Sequence, residues 1–287
     1  MEVPQAGTEL VPGVKYIVAV GSGKGGVGKS TVAVNVAAAI AQDGLRVGLL
    51  DADIYGPSIP VMIGLNASPG TRDVDGRKLI QPLERHGLKT MSLGFLLPPG
   101  APPIIWRGPM VGSAVKQMLG DVEWGKLDYL VVDLPPGTGD AQLTLAQVVP
   151  LTGAVIVMTS QDVALNIANK ALGMFQKLNV PILGIVENMG AFVCPACGTA
   201  TPIFSRGAGE RIAREMQVPF LGTVPLDVAI VDSGDAGVPI VISAPDSGPA
   251  GAFREIARAV VAQTSGETPP AGDQQGWLNK LRGNLGQ

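Results

Sequence analysis

The segment GKGGVGKS at residues 23–30 constrains the fold more than any other part of the sequence. It matches the pattern G-x-x-x-x-G-K-[ST], which carries its chemistry only between a β-strand and an α-helix. Here a β-branched run, KYIVAV, precedes the segment and an alanine-rich stretch, TVAVNVAAAIA, follows it. The sequence therefore predicts a turn whose backbone N–H groups surround a phosphate. We call residues 23–30 the phosphate loop.

Each residue type in the phosphate loop has a physical reason. Gly25, Gly26 and Gly28 allow positive φ and a close approach of the backbone to phosphate oxygens. The N-terminus of the following helix adds about half a positive charge. We expect Lys29 to reach the β- and γ-phosphates of a nucleotide and the Ser30 hydroxyl to ligate Mg²⁺. The residues of this region expected to contact the nucleotide are Gly23, Lys24, Gly25, Gly26, Val27, Gly28, Lys29, Ser30 and Thr31.

Three carboxylates follow expected strands of the same sheet. Asp51 and Asp53 lie in LLDADIYGPSIP, at the carboxyl end of a strand, where open α/β sheets bind ligands. We expect Asp51 to bind the water shell of Mg²⁺ and Asp53 to orient the attacking water; a solvated turn is the alternative. Asp133 ends the strand YLVVD, where a carboxylate holds Mg²⁺ through water. Gly137 and Gly139 can present N–H groups to the γ-phosphate, which would make this loop a switch.

Apolar, β-branched segments alternate with helical patterns along the chain. This alternation predicts an α/β fold, with a mostly parallel twisted sheet and helices on both faces. Residues 66–106 interrupt it, and KLIQPLERHGLKTMSLGF predicts a small antiparallel insertion. The expected strands are 15–20, 46–51, 127–133, 153–158, 180–188 and 218–224. The expected helices are 29–42, 109–119, 140–149, 162–178, 207–216 and 250–263.

Composition narrows the function and sets the domain limits. The 287 residues, 46% hydrophobic and 16% charged, can bury a sizeable core. The net charge of −3 argues against nucleic-acid binding, and the sequence shows neither a membrane span nor a secretory signal. The cytoplasm is the expected compartment. We expect an N-terminal extension over 1–14, one P-loop ATPase domain over 15–264, and a flexible tail over 265–287 that ends frayed or as a short amphipathic helix.

The chain has two cysteines, Cys194 and Cys197, in the segment CPAC. Their C-x-x-C spacing lets both thiolates face one metal, and so few cysteines indicate a metal or redox role rather than a disulfide framework. Two thiolates leave half of a four-ligand site unfilled. Two copies related by a two-fold axis could supply four cysteines to an iron–sulfur cluster or to zinc. A local redox disulfide is the alternative.

The early lysine in KGGVGKST gives the phosphate loop a second cation. In this respect the loop resembles that of the dimeric ATPase class that includes MinD and the nitrogenase iron protein. The resemblance implies that Lys24 crosses a dimer interface to the nucleotide of the partner, where it acts in catalysis with Lys29 and Asp53. A cation in that place would neutralise charge on the transferring phosphoryl group.

Recognition of adenine is expected outside the phosphate loop. Asn188 in VENMG ends a strand, and its amide can pair with the donor and acceptor of a purine edge. The resemblance to the same ATPase class implies an adenine contact at Asn188, with Pro225 and Asp227 of the VPLD turn nearby. For Asp227, a helix N-cap is an equal alternative.

Seven segments together resemble the Mrp/ApbC family of iron–sulfur cluster carriers over residues 14–264. They are GSGKGGVGKST, DADIYGPSIP, WRGPM, DLPPGTGD, QDVAL, VENMGAFVCPACG and the stretch from VPLD to residue 239. The resemblance implies a homodimeric ATPase that uses ATP and Mg²⁺, holds a labile [4Fe-4S] cluster on Cys194 and Cys197 of both subunits, and passes it to apo iron–sulfur proteins. Many members have a further N-terminal domain, and FSRGAGER and the tail depart from the family pattern.

Two other functions fit the same phosphate loop. A MinD-like positioning ATPase would touch a membrane through the amphipathic tail, but it leaves the C-x-x-C without a role. An electron-transfer protein similar to the nitrogenase iron protein would retain its cluster, but that class places its cysteines apart in the chain. A C-x-x-C in one loop suits release better than retention, so the carrier is the leading hypothesis.

Overall fold

Eight strands form the main sheet of the computed structural model, which describes residues 10–74, 76–97, 108–137, 140–160, 165–194, 196–201, 203 and 207–266. The strands of the described residues are Val14–Ser22 (β1), Val47–Asp51 (β2), Thr71–Val74 (β3), Arg77–Ile80 (β4), Leu83–Arg85 (β5), Leu88–Ser92 (β6), Leu127–Asp133 (β7), Gly153–Thr159 (β8), Ile182–Asn188 (β9), Phe192–Val193 (β10), Ala200–Thr201 (β11) and Phe220–Thr223 (β12). The main sheet has the order β12-β9-β8-β1-β7-β2-β6-β5. Its neighbouring strands are parallel except for β5, which is antiparallel to β6.

Helices cover both faces of this sheet. Those of the described residues are Lys29–Gln42 (α1), Ile59–Met62 (α2), Gly108–Gly120 (α3), Asp140–Val148 (α4), Leu165–Lys177 (α5), Ala208–Glu215 (α6), Val228–Asp235 (α7), Ile240–Ser243 (α8) and Gly248–Ser265 (α9). Helices α1, α8 and α9 pack in one apolar core, and α3, α4, α5 and α6 pack in the other. The two-sided core explains why β7 and β8 are buried along their whole length. The α/β fold expected from the sequence is confirmed.

The expected strands and helices all occur among the described residues, with ends that differ by at most a few positions. Strand β9, for example, begins at Ile182 and not at residue 180. Pro181 lies just before it, and proline has no N–H to donate to a neighbouring strand. The first three residues of the helix expected over 162–178 lie outside the described part of the chain.

The insertion expected within residues 66–106 is confirmed only in part. Strands β3 and β4 form an antiparallel pair, and β5 is antiparallel to β6. However, β6 also pairs in parallel with β2 and so belongs to the main sheet. Its Leu88 and Met91 are buried in the two different cores. The polar Lys89 and Thr90 between them concealed this two-sided burial, because buried parallel strands are usually continuous apolar runs.

Strand register brings several polar residues to one edge of the sheet. Asp51 at the end of β2 is the register partner of Asp133 in β7 and of Ser92 in β6. Asn188 at the end of β9 is paired with Thr159 in β8. The phosphate loop follows β1 at this same edge. The carboxyl ends of the parallel strands therefore gather the expected nucleotide residues.

The expected boundaries near the termini lie mostly beyond the described residues. Strand β1 begins at Val14, and residues 1–9 lie outside the described part of the chain. Helix α9 ends at Ser265 and is followed by Gly266 with a φ of 70°. Residues 267–287 of the tail expected over 265–287 lie outside the described part of the chain. The expected domain limits remain predictions. Among the described residues, none of the helices combines the length and apolarity needed to cross a membrane.

Candidate nucleotide and metal site

The phosphate loop connects β1 to α1, as the sequence predicts. Gly26 and Gly28 both have a φ of 78°, which is why glycine is needed at these two positions. Gly28 is also the N-cap of α1, so the loop runs directly into the helix N-terminus. Gly25 does not have a positive φ, and the expectation that it would was wrong. A side chain at Gly25 would instead approach Pro136 of the loop after β7.

Lys29 points into a group of buried carboxylates. Its Nζ lies 2.6 Å from Asp133 Oδ1 and 3.8 Å from Asp53 Oδ2. The Ser30 hydroxyl donates to the other oxygen of Asp133 over 2.5 Å. Lys29 and Asp133 are both buried. The lysine, the serine and two of the three carboxylates expected from the sequence are therefore in direct contact.

Asp51 is held beside this group by three donors. Its carboxylate accepts the N–H of Asp53 over 3.2 Å, the N–H of Ile59 over 3.4 Å and the hydroxyl of Ser92 over 3.0 Å. Asp51 is buried, and burial together with the nearby charge of Asp133 raises its pKa to about 8. The structure thus favours a protonated Asp51 at neutral pH. The alternative of a solvated turn is excluded for this residue.

The site has more negative groups than the nearby lysine can balance. Burial raises the pKa of Asp133 and of Asp53, and the positive charge of Lys29 opposes both shifts. Three carboxylates near one ammonium cannot all ionise at low cost in a buried site. A divalent cation would relieve that cost, so the group fits Mg²⁺ by its chemistry.

The carboxylates do not form a complete metal cage by themselves. Within the described residues, no group of three or more His, Cys, Asp or Glu side chains is arranged to hold a metal ion. Mg²⁺ is usually bound by one or two carboxylates together with water and substrate phosphates. The arrangement of Ser30, Asp51 and Asp133 beside the phosphate loop agrees with that type of site, in which the nucleotide completes the coordination.

The loop after β7 contacts the start of the phosphate loop. Gly137 has a φ of 93°, and its N–H donates to the carbonyl of Ser22 over 3.1 Å. The Ser22 hydroxyl in turn donates to the carbonyl of Lys24 over 2.9 Å. Lys24 itself is half-buried. Gly139 lies outside the described residues. The switch expected in the loop after β7 and the contact of Lys24 with the partner's nucleotide remain predictions.

Asn188 lies beneath the phosphate loop. Its amide Nδ2 donates to the carbonyl of Val27 over 2.8 Å, and it is buried against Gly28. Asp227 is the N-cap of α7 and accepts the N–H of Ala229 over 2.9 Å, so the capping alternative is confirmed. Pro225 is half-buried in the preceding turn. Contacts of these residues with adenine remain predictions.

The two cysteines lie on a short hairpin beyond β9. Strands β10 and β11 form its arms, and the Cys194 N–H donates to the carbonyl of Thr199 over 3.0 Å. Cys194 is half-buried and Cys197 is exposed, and neither is in a disulfide. A hydrogen bond between Cys197 Sγ and Thr199 Oγ1, at 3.2 Å, lowers the pKa of the Cys197 thiol, with a further contribution from Cys194. The exposure of Cys197 and its lowered pKa both favour metal binding by its thiolate. We call residues 192–201 the cysteine hairpin.

Three residues of the site were missed by the reasoning from sequence. Ser92 bonds to Asp51, and Ser160 donates to the buried carboxylate of Glu187. Glu187 also accepts the N–H of Gly209 at the start of α6, over 3.3 Å. The available signal was a polar residue at the end of an apolar strand, as in KTMS and PILGIVEN. Residues 106–107, 161–164 and 204–206 of the quoted motifs lie outside the described part of the chain.

Comparison with solved structures confirms the fold. A nucleotide-binding protein from Archaeoglobus fulgidus, solved in complex with ADP, is 40% identical with a TM-score of 0.72, over 80% of this chain and 89% of that one. The cell division ATPase MinD of Pyrococcus furiosus has a TM-score of 0.62 over 86% of this chain and 98% of that one. Its identity of 21% shows a common fold and nothing further about function.

Comparison of sequences identifies the family. An iron–sulfur cluster carrier protein of Aquifex aeolicus is 52% identical over 255 residues, which are 89% of this chain and 70% of that protein. The family model described as ParA, NUBPL iron-transfer P-loop NTPase, matches residues 13–261. The resemblance to cluster carriers inferred from the motifs is confirmed. The chain belongs to the ParA-type family of NUBPL iron-transfer P-loop NTPases.

Proposed function

We propose that this protein is an ATP-hydrolysing carrier that holds a labile [4Fe-4S] cluster between two copies of the chain and delivers it to apo iron–sulfur proteins. The observation that carries the proposal is the cysteine hairpin, which follows directly from the strand that contacts the phosphate loop. A nucleotide site and a pair of metal-binding thiols are thus built on one edge of one sheet. The relative from Aquifex aeolicus is named an iron–sulfur cluster carrier protein.

The residues of the nucleotide site have separate tasks. The N–H groups of the phosphate loop and Lys29 bind the phosphates, and the Ser30 hydroxyl with Asp51 and Asp133 holds Mg²⁺ directly or through water. Mg²⁺ bound with ATP supplies charge neutralisation for phosphoryl transfer. Asp53, 3.8 Å from the Lys29 ammonium and partly exposed, orients the attacking water. Catalysis by these groups consists mainly of placement and electrostatics.

A cluster requires more ligands than one chain has. Cys194 and Cys197 are the only cysteines in the sequence, whereas a cubane cluster takes four thiolates. A two-fold homodimer supplies the missing pair, because the same hairpin then approaches the axis from both sides. Lys24 gives the dimer a second purpose, since it would complete the nucleotide site of the partner. Two free thiols suit a reducing compartment, and we place the protein in the cytoplasm.

The observations favour the carrier over the two other functions. The MinD-like hypothesis rests on the expected amphipathic tail, which lies outside the described residues, and it does not use the cysteine hairpin. The electron-transfer hypothesis requires a cluster that is retained. The half-buried and exposed positions of the two cysteines favour a cluster that a recipient can reach.

Cluster transfer to apo-aconitase tests the proposal. The full chain is reconstituted anaerobically with iron and sulfide and then mixed with apo-aconitase, with and without ATP. We expect the wild type and the hairpin control Thr201→Ala to bind iron and sulfide and to restore aconitase activity. Cys194→Ala and Cys197→Ala should do neither. Iron and sulfide retained by both cysteine variants, a wild type that binds only zinc, or a cluster that is reduced and reoxidised but never transferred would contradict the proposal.

A further inference from the structure

We infer that Asn188 is a positioning residue that links the phosphate loop to the cysteine hairpin, so that nucleotide binding alters the reactivity of Cys194 and Cys197. This inference rests on the proposed function, because it concerns how its two sites communicate. The contact with Val27, the burial of Asn188 and the short segment between Asn188 and Cys194 carry it.

Asn188 sets the orientation of the peptide between Val27 and Gly28. The Asn188 amide donates to the Val27 carbonyl, and the C=O and N–H of one trans peptide point in opposite directions. The bond therefore directs the Gly28 N–H away from Asn188. A Cβ atom at Gly28 would lie 2.1 Å from Asn188 Nδ2, so glycine is needed for this contact as well as for its φ of 78°. Asn188 thus orients one N–H group of the phosphate loop.

The chain that follows Asn188 leads to the cysteine hairpin along a fixed path. Met189 has a φ of 58°, a left-handed conformation that few residues of its kind adopt. The Gly190 N–H then donates to the Val224 carbonyl over 3.0 Å, and the Ala191 carbonyl accepts the Leu226 N–H over 2.8 Å. These contacts hold the segment between Asn188 and the cysteine hairpin in one path. The hairpin begins only four residues after Asn188.

Glu187, the residue before Asn188, binds the chain on the C-terminal side of the cysteine hairpin. The Glu187 carboxylate accepts the N–H of Gly209, the second residue of α6, and the hydroxyl of Ser160. The Glu187 carbonyl accepts the Val224 N–H over 2.8 Å. The cysteine hairpin itself has strands of only two residues, and the side chains at its tip are exposed. Its order therefore depends on the base formed by Glu187 and Asn188.

Nucleotide binding acts on this base through the Val27 carbonyl. An anion bound by the N–H groups of the loop polarises their peptides, and a polarised carbonyl accepts a hydrogen bond more strongly. The Asn188 side chain is then held more firmly, and the cysteine hairpin is more ordered. The effect is reciprocal, because two coupled sites change each other's affinity by the same factor. A hairpin fixed by metal binding would tighten nucleotide binding in turn.

The test measures thiol alkylation in the reduced, metal-free full chain. Iodoacetamide is applied with and without saturating ADP or a non-hydrolysable ATP analogue, and the rates at Cys194 and Cys197 are followed by mass spectrometry. We expect nucleotide to slow the wild-type rates about fivefold, at the lower end of typical coupling. Asn188→Ala should remove this response at nucleotide concentrations shown by titration to saturate the variant. Asn188→Asp, which keeps the size but loses the N–H donor, should do the same.

The matched control is Asn35→Ala. Asn35 is an equally buried asparagine whose amide donates to the Thr31 carbonyl over 2.9 Å and whose oxygen accepts the N–H of Val241 in α8. Asn35 joins α1 to α8, and its two hydrogen bonds do not involve β9 or the cysteine hairpin. We expect Asn35→Ala to keep the fivefold slowing even if it is less stable. A loss of response in this variant would show a general effect of instability and would overturn the inference.

A second measurement separates this role from a contact with the base. If Asn188 only recognises adenine, Asn188→Asp changes the ratio of ATP to GTP affinity and keeps the slowing of alkylation; that result would overturn the inference. Wild-type rates that ignore nucleotide would overturn it too. Because alkylation is measured without iron or sulfide, these outcomes do not depend on cluster transfer, and failure of the proposed function is recognised separately by the aconitase experiment.

Discussion

At the scale of single residues, the nucleotide site is a group of buried charges that does not balance. Lys29 contacts Asp133 at 2.6 Å and approaches Asp53 at 3.8 Å, while Asp51 lies beside them with a raised pKa of about 8. Such a site stores electrostatic cost in the nucleotide-free protein. Binding of a divalent cation with a nucleotide would release that cost, which gives the protein a physical reason to bind both together.

The raised pKa of Asp51 predicts a pH dependence of stability. The folded chain holds this proton up to about pH 8, whereas the unfolded chain loses it near the ordinary value of 3.8. Between these values the folded state binds more protons, so the free energy of unfolding falls as the pH rises through the window. The contribution is at most about 1.4 kcal/mol per pH unit. Urea unfolding at pH 5, 6, 7 and 8 without nucleotide should show a smaller slope for Asp51→Asn, and equal slopes would contradict the assignment.

The position of Asp53 predicts a kinetic effect. A residue that orients the attacking water contributes to the transition state and little to nucleotide binding, so Asp53→Asn should lower kcat by about 10²–10⁴ with a nearly unchanged KM. Phosphate release at steady state measures both constants. Asp232→Asn, on the exposed surface of α7, is the control and should behave as the wild type. An Asp53→Asn variant with normal kcat would remove Asp53 from the catalytic group.

At the scale of secondary-structure elements, the sequence predicted more of the fold than of the contacts. The phosphate loop and the alternation of apolar strands and helices identified the parallel sheet, because both depend on local patterns. Strand β6 was taken for part of an insertion, since its membership in the sheet depends on pairing with β2 across a long separation. The contact between Asn188 and Val27 joins residues 161 positions apart, and no local pattern encodes it.

Strand β9 supports both sites and predicts a strong effect of one glycine. Gly184 has a φ of 150°, and a Cβ atom there would lie 2.7 Å from the Pro219 carbonyl oxygen and 2.6 Å from Leu221. Gly184→Ala should therefore destabilise the protein by about 2–4 kcal/mol through overpacking and backbone strain. Gly173→Ala in α5, where a Cβ atom meets no neighbour, should stabilise it by about 0.5–1 kcal/mol. Thermal unfolding measures the change in stability of both variants. Similar changes for Gly184→Ala and Gly173→Ala would contradict the geometry.

At the scale of the whole molecule, we expect one chain to be half of a functional dimer. The sequence has two cysteines for a cluster that takes four thiolates, and Lys24 is expected to reach the nucleotide of another subunit. These features come from different parts of the sequence, and the same two-fold dimer would satisfy both. This agreement between independent features is the strongest reason to expect one.

Mixing of two inactive variants tests the trans role of Lys24. Lys24→Ala and Lys29→Ala should each abolish ATP hydrolysis as separate proteins. A mixed dimer has one complete site if Lys24 acts across the interface, because the intact phosphate loop of one subunit meets the intact Lys24 of the other. After random exchange the mixture should recover about a quarter of the wild-type rate, as two-fold symmetry requires. No recovery in a mixture shown to contain mixed dimers would place Lys24 in its own site.

If two copies of this chain share one cluster, native mass spectrometry of the reconstituted protein measures the complex directly. We predict a dimer whose mass includes one [4Fe-4S] cluster. When Cys194 and Cys197 are replaced by alanine, the mass of the cluster should be absent. A single chain that holds iron and sulfide, or a dimer that holds only zinc, would contradict the account.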